Sequence, residues 1–215
     1  MGEVFRVLSV AQHEPIDGRH ARRQRSREAA IEAVFALVRE GKIPPSADDV
    51  AARAGVSVSS LFRNFDGLHG MQCQALEQSQ ADFAPFFVVT DADESRTVRV
   101  CTHVTTRIEF LKIANGLLRI GRSRALDHEL FVEGLARVRL NLADQTRQRF
   151  AAELDQLTPT EAANLTALID ATTSPDAFDL MCAAHSLTPD QIAKTWITAL
   201  DALLAQWVPD LEELT

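Results

Sequence analysis

Between residues 46 and 65 the chain reads SADDVAARAGVSVSSLFRNF, and its apolar positions form two short helical stripes around a glycine. Val50, Ala51 and Ala54 recur at helical spacing and predict the apolar face of the first helix. Ser46 suits its N-cap, with Asp49 three residues on as an acidic partner for the opening turn. Gly55 stands where the chain must leave that helix, because glycine reaches left-handed backbone angles without a Cβ clash. Val56 then plugs the turn and Ser57 can cap the second helix. That helix is expected to carry Leu61, Phe62 and Phe65 inward and Ser59, Ser60, Arg63 and Asn64 outward. The pattern predicts a helix-turn-helix, whose second helix enters the major groove of DNA.

The flanking pattern is helical throughout. Ile31, Val34, Phe35 and Val38 make the inward stripe of a first helix over residues 21–40, ended by Gly41 and a Pro44-Pro45 turn. Asp66-Gly67 starts a fourth helix reaching residue 82, with Leu68, Met71, Ala75 and Leu76 available to pack back on the small domain. Residues 85–93 read as a junction. Asp93 or Ser95 can cap the next helix, which runs through Val104, Ile108 and Leu111, with a break expected near Asn115-Gly116. Asp127 is expected to open a long helix to residue 154, with Phe131, Leu135, Val138, Leu142 and Phe150 on one side. Three later starts share one grammar: Thr158-Pro159 with Glu161, Ser174-Pro175 with Asp176, and Thr188-Pro189 with Gln191. A hydroxyl cap, proline in the first turn and an acid or amide just inside mark helix N-termini. No strand-like alternation or solenoid-length repeat interrupts this all-α reading.

An arginine-rich arm, an amphipathic helix, then Ala54-Gly55-Val56-Ser57 and Leu61-Phe62-Arg63-Asn64-Phe65 together resemble the N-terminal domain of TetR-family transcriptional regulators, over about residues 19–80. The resemblance implies an N-terminal three-helix DNA-binding domain joined to a larger helical domain for effector binding and dimerisation. The corresponding divisions are a flexible segment 1–18, a helix-turn-helix domain 19–66, a connecting helix 67–82 and the larger domain 83–215. It also implies a homodimeric repressor, released from a palindromic double-stranded operator by a small-molecule effector. Two positions depart from the family pattern. Phe62 stands where a tyrosine is usual, so a phosphate-directed hydroxyl is missing, and Leu68 stands where a lysine is common.

Charge sharpens the division. The net charge of −8 alone argues against nucleic acid. Residues 1–65, however, hold 10 Lys and Arg against 8 Asp and Glu, while residues 66–215 hold 12 against 22. A basic front on an acidic body is expected when one end meets phosphates. Arg19, Arg22, Arg23, Arg25 and Arg27 crowd into nine residues, with His20 among them. The three cysteines, Cys73, Cys101 and Cys182, are odd in number and far apart, which predicts reduced cytoplasmic thiols rather than a disulfide framework or a metal site. No apolar run is long enough to span a membrane, and no cofactor motif is present.

Recognition divides between phosphate contacts that hold the protein and base contacts that read sequence. Ser57, Val58, Ser59 and Arg63 are the candidates near base edges; Arg63 can bond guanine in the bidentate manner or hold a phosphate. Arg19, Arg22, Arg23, Ser46, Phe62, Asn64 and the backbone of Gly67 complete the DNA-facing set that the resemblance implies. By burial habit alone, Phe62 and Phe65 read as core.

In the larger domain, His103, Arg107, Phe110, Phe131, Phe178 and Met181 are the candidate effector contacts, drawn from an apolar inventory that serves a core or a pocket equally. Arg107, Arg119 and Arg122 could bind an anionic effector or form ion pairs. The last apolar stripe, with Ile192, Trp196, Ala199, Leu200 and Leu203, needs a partner surface and is read as the dimer face. Two rival functions compete with this reading. The enzyme reading lacks a metalloprotease helix, a phosphate-cradling loop and a nucleophile elbow. The other rival is a helical dimeric adaptor whose helix-turn-helix no longer reads DNA.

Overall fold

The computed structural model describes residues 18–65 and 67–208, apart from the side chains of Gly18, Arg19, Leu68 and His69. The expected loose segment 1–18 therefore lies almost wholly outside the described residues, as does the side chain of Arg19. Among the described residues ten α-helices follow one another: α1 (Gly18–Arg39), α2 (Ala47–Ala54), α3 (Val58–Asn64), α4 (Gly67–Phe83), α5 (Arg96–Arg124), α6 (Glu129–Arg149), α7 (Ala151–Leu154), α8 (Pro159–Thr172), α9 (Pro175–His185) and α10 (Pro189–Trp207). A 3-10 turn, Ala84–Phe87, follows α4, and no strand occurs among the described residues.

Two apolar cores organise these helices. The first gathers Ile31, Val34 and Val38 of α1, Val50 and Ala51 of α2, Leu61 of α3 and its C-cap Phe65, and Met71 and Ala75 of α4. Ile120 of α5 reaches into this head core, tying it to the body. The second core fills the space between α5, α6, α8, α9 and α10, with Trp196, Leu111, Leu165 and Leu200 fully enclosed. Close helix approach requires glycine at two places: a Cβ on Gly116 of α5 would lie 2.3 Å from Val38 Cγ1 of α1, and one on Gly134 of α6 would meet Leu76 of α4.

The three hydroxyl-proline starts fold as helix N-termini. Thr158 and Thr188 form reciprocal capping boxes with Glu161 and Gln191, and Ser174 accepts from the Ala177 N–H. Ser95, rather than Asp93, caps α5. Three expectations need correction. No break occurs at Asn115-Gly116: α5 continues for 29 residues, because Gly116 serves the tight contact with α1 instead of ending the helix. The long helix from Asp127 starts two residues later and stops at Arg149, with α7 a separate turn after Phe150. Finally, the α10 stripe is not free for a partner chain. Ile192, Trp196 and Leu200 are buried against α5, α8 and α9 of the same protomer, leaving Ala199 and Leu203 half-buried.

A candidate nucleic-acid interface and a candidate effector cavity

The head presents α3 through a chain of local interactions. Ser46 Oγ accepts from the Asp49 N–H at 3.1 Å and donates to its carboxylate at 2.7 Å, fixing the start of α2. Lys42 Nζ holds the same carboxylate at 2.6 Å. Gly55 takes the left-handed conformation (φ 68°, ψ 30°), and Val56 N–H donates back to the Ala51 carbonyl at 3.0 Å. Ser57 caps α3 by accepting from Ser60 N–H at 3.2 Å. At the far end of α3, Arg23 Nη2 donates to the Arg63 carbonyl at 3.2 Å, and the Arg27 guanidinium lies 5.3 Å over the Phe65 ring. The N-terminal half of α1 therefore braces the C-terminal end of α3.

Leu61 and Phe65, four residues apart, point into the core. Phe62 is 51% exposed, which corrects the reading of that ring as inward. It sits about 100° around the helix from Leu61 and shares its outward face with Ser59 and Arg63, three residues before and one after. Arg63 Nη2 donates to Ser60 Oγ at 3.0 Å, which keeps the guanidinium along the helix surface. Arg22, Arg23, Ser46 and Ser57 are also exposed; Asn64 and Gly67 are half-exposed. Val58 is partly withdrawn, packing against the head core.

The body contains a cavity of about 600 Å³ between α5, α6, the end of α8 and the start of α9. Leu118, Leu135, Val138 and Leu142 form its apolar walls, and Ala136, Ala143 and Ala171 leave the space open by their small size. Arg107 and Asp170 border its polar end. Asp170 Oδ1 accepts from the Thr146 hydroxyl at 2.6 Å and lies 3.7 Å from Arg107 Nη2. Arg107 also donates to the Leu142 carbonyl at 3.3 Å and contacts His103 Nε2 at 3.4 Å. Burial pulls the Arg107 guanidinium down to about 10, partly offset by Asp170, with Arg149 adding repulsion. Burial, then the Arg107 and Arg149 charges, hold His103 well below the ordinary imidazole range, so its ring is neutral. Burial raises the Asp170 carboxyl against the opposing pull of Thr146 and Arg107.

Of the six residues expected to meet an effector, only Arg107 lines this cavity, with His103 behind it. Phe110 is enclosed by Phe83 and Phe87 at 5.4 and 5.3 Å, and Phe178 packs on Trp196 at 6.3 Å. Phe131 is buried next to the head, and Met181 packs against the body core. Bulky aromatics fill the core, while the cavity appears where alanines face one another. The missed residues are Asp170 and Thr146. An acid one position after the buried Ile169, within the otherwise apolar run 167–171, is the signal the sequence offers.

The helix-turn-helix head on a helical body, joined through α4, defines the fold: it is that of TetR-family transcriptional regulators. A Rhodococcus sp. protein assigned to that family shares the fold with a TM-score of 0.53 and 20% identity, over 83% of this chain and 98% of its own. The multidrug binding protein EbrR, solved in complex with imidazole, matches with a TM-score of 0.56 and 20% identity, over 92% of this chain and 97% of its own. No protein-family model matches the sequence, and no curated protein matches it. No helix among the described residues is long and apolar enough to cross a membrane.

Proposed function

We propose that this protein is a sequence-specific DNA-binding transcriptional regulator, acting as a homodimeric repressor that a small-molecule effector releases from a palindromic operator. The observation that carries this reading is the outward face of α3, where Ser59, Phe62 and Arg63 stand clear of a head braced from behind by Arg23 and Arg27. Residues 19–66 act as the reading head, 67–82 as the connection and the remainder as the effector and dimer domain. A two-fold reader sets its half-sites about 10 bp or a multiple apart. Because Ile192, Trp196 and Leu200 belong to the protomer core, the dimer uses the outer faces of α8 and α10, including exposed Leu168 and half-buried Ala199 and Leu203.

Ligand control follows from differential affinity. An effector that prefers one spacing of the two heads shifts the population toward it, and DNA affinity changes by the coupling energy, typically ~1–3 kcal/mol. EbrR, of the same fold, is described as a multidrug binding protein, which supports a ligand-holding body here. The test is fluorescence anisotropy with DNA recovered by genomic footprinting. Salt-dependent binding to one palindrome, lost on Arg63→Ala, supports the reading. An intact dimer that binds no recovered fragment at low salt overturns it.

A further inference from the structure

The cavity's electrostatics bear on the chemistry of what it holds, a question that rests on reading the body as an effector domain. Its walls are apolar, and each buried or half-buried cation on them already faces a carboxylate. Arg107 lies 3.7 Å from Asp170; Arg122 pairs with Asp179 and lies 3.4 Å from Asp176. Arg139 lies on the exposed side of α6, in water. An ion entering such a space loses hydration and finds no surplus opposite charge to replace it.

Arg107 does keep two N–H groups without partners, Nε and Nη1, but both are enclosed with essentially no accessible surface, so a ligand carboxylate cannot reach them. Asp170 is different. Its Oδ1 is taken by Thr146, its Oδ2 makes no hydrogen bond among the described residues, and the side chain is 23% exposed. The enclosed part of the cavity therefore offers one open acceptor, on Asp170, while Arg139 and Asp176, the charged lining residues on its open side, are exposed to water. We infer that the cavity takes an uncharged molecule with an apolar body and one N–H or O–H donor directed at the Asp170 carboxylate. A volume of about 600 Å³ suits a drug-sized compound.

Four naphthalenes with one shared ring system test this by calorimetry on the full chain: naphthalene-2-carboxamide, its N,N-dimethyl derivative, naphthalene-2-carboxylate and 2-naphthylmethylammonium. The primary carboxamide is expected to bind about tenfold more tightly than each of the other three. Ala171→Trp, at an exposed position on the cavity wall, should abolish binding, and Asp170→Asn should erase the advantage over the dimethyl amide. Should Asp170→Asn fail to fold, the ranking on the unmodified protein decides alone. The inference is overturned if the carboxylate or the ammonium binds best, if all four bind equally, if Ala171→Trp changes nothing, or if the carboxamide shows no binding up to about 1 mM. No DNA enters the measurement, so failure here leaves the operator reading standing, and failure at the operator leaves this result standing.

Discussion

Gly134 of α6 lies against Leu76 of α4 so closely that a Cβ on the glycine would fall 2.7 Å from Leu76 Cδ2. The contact joins the wall of the cavity to the helix that supports the head. The same helix α6 lines the cavity from Leu135 to Ala143, and α4 supplies Met71 and Ala75 to the head core. Two residues on from Leu135, and on the side of α6 away from the cavity, Arg137 donates to Gln80 of α4 at 2.6 Å. A displacement of α6 by a bound molecule therefore meets α4 directly.

The companion contact, Gly116 against Val38, yields a comparative prediction. Alanine in a helix interior gains about 1 kcal/mol over glycine, whereas overpacking costs ~1–3 kcal/mol. At Gly134 the obstructing atom is the end of a flexible leucine, which can turn aside. At Gly116 the obstruction is a β-branched Val38, 2.3 Å away and stiff at χ1, with Ile43 Cδ1 at 3.2 Å beside it. Gly116→Ala should therefore destabilise by about 1–2 kcal/mol net and Gly134→Ala by less, as read by urea denaturation. Equal midpoints for the two variants would count against the packing argument.

The buried cluster under the junction predicts an acid limb. Arg99 grips Glu153 with both nitrogens, at 2.5 and 2.6 Å, and Arg96 adds a third bond at 3.1 Å. Burial pushes the Glu153 carboxyl up, but these bonds outweigh it and hold the group below its ordinary value of 4.5. A carboxyl lowered in the folded state stabilises above its unfolded value, and that stability is lost as pH falls below about 4.5. Asp170, raised in the folded state, acts in the opposite sense over part of the same range. Glu153→Ala strands Arg99 in a buried site and should cost about 3–5 kcal/mol. Combining it with Asp170→Asn should flatten the dependence of stability on pH between 3 and about 5 in chemical denaturation.

Much of this architecture was legible because it follows from local rules. Ser46, Gly55 and Ser57 fix the turn between α2 and α3, and the hydroxyl-proline starts fix α8, α9 and α10; caps and left-handed glycines act within one or two turns of helix. Long-range choices were not legible. Gly116 reads as a break in the sequence, because a glycine that ends a helix and one that admits a neighbour look the same there. Trp196 and its stripe read as an interface, because periodicity shows that a face is covered, not by which chain. The cavity leaves no trace in the sequence, because small residues on α6 and α8 create it and their convergence depends on tertiary packing.

The arginines of α1 divide into two roles that salt titration separates. Arg22 is exposed and its guanidinium makes no hydrogen bond among the described residues, so Arg22→Ala should lower the slope of log affinity against log salt by about 1 if it meets a phosphate. Arg23 braces the Arg63 carbonyl. Arg23→Ala should also loosen the end of α3, weakening discrimination between the operator and unrelated DNA. Anisotropy titrations at several salt concentrations on both DNAs measure each quantity. An unchanged slope for Arg22→Ala would remove it from the interface.

Phe62 and Phe65 offer the sharpest separation of folding from recognition. They are three residues apart, one inside α3 and the other its C-cap, yet Phe62 is 51% exposed and Phe65 only 5%. Phe65 packs in the head core beneath Arg27, so Phe65→Ala leaves a cavity and should cost about 3–5 kcal/mol of stability. Phe62→Ala removes a ring that the folded head leaves in water, and should change stability by no more than about 0.5 kcal/mol. Its effect should appear instead on DNA, where an apolar ring on the reading face can press against sugar or a thymine methyl group. Thermal denaturation and operator binding on the same two variants check this. A Phe62→Ala protein that is as unstable as Phe65→Ala would return that ring to the core; one that is stable and binds its operator at full strength would remove Phe62 from the reading face.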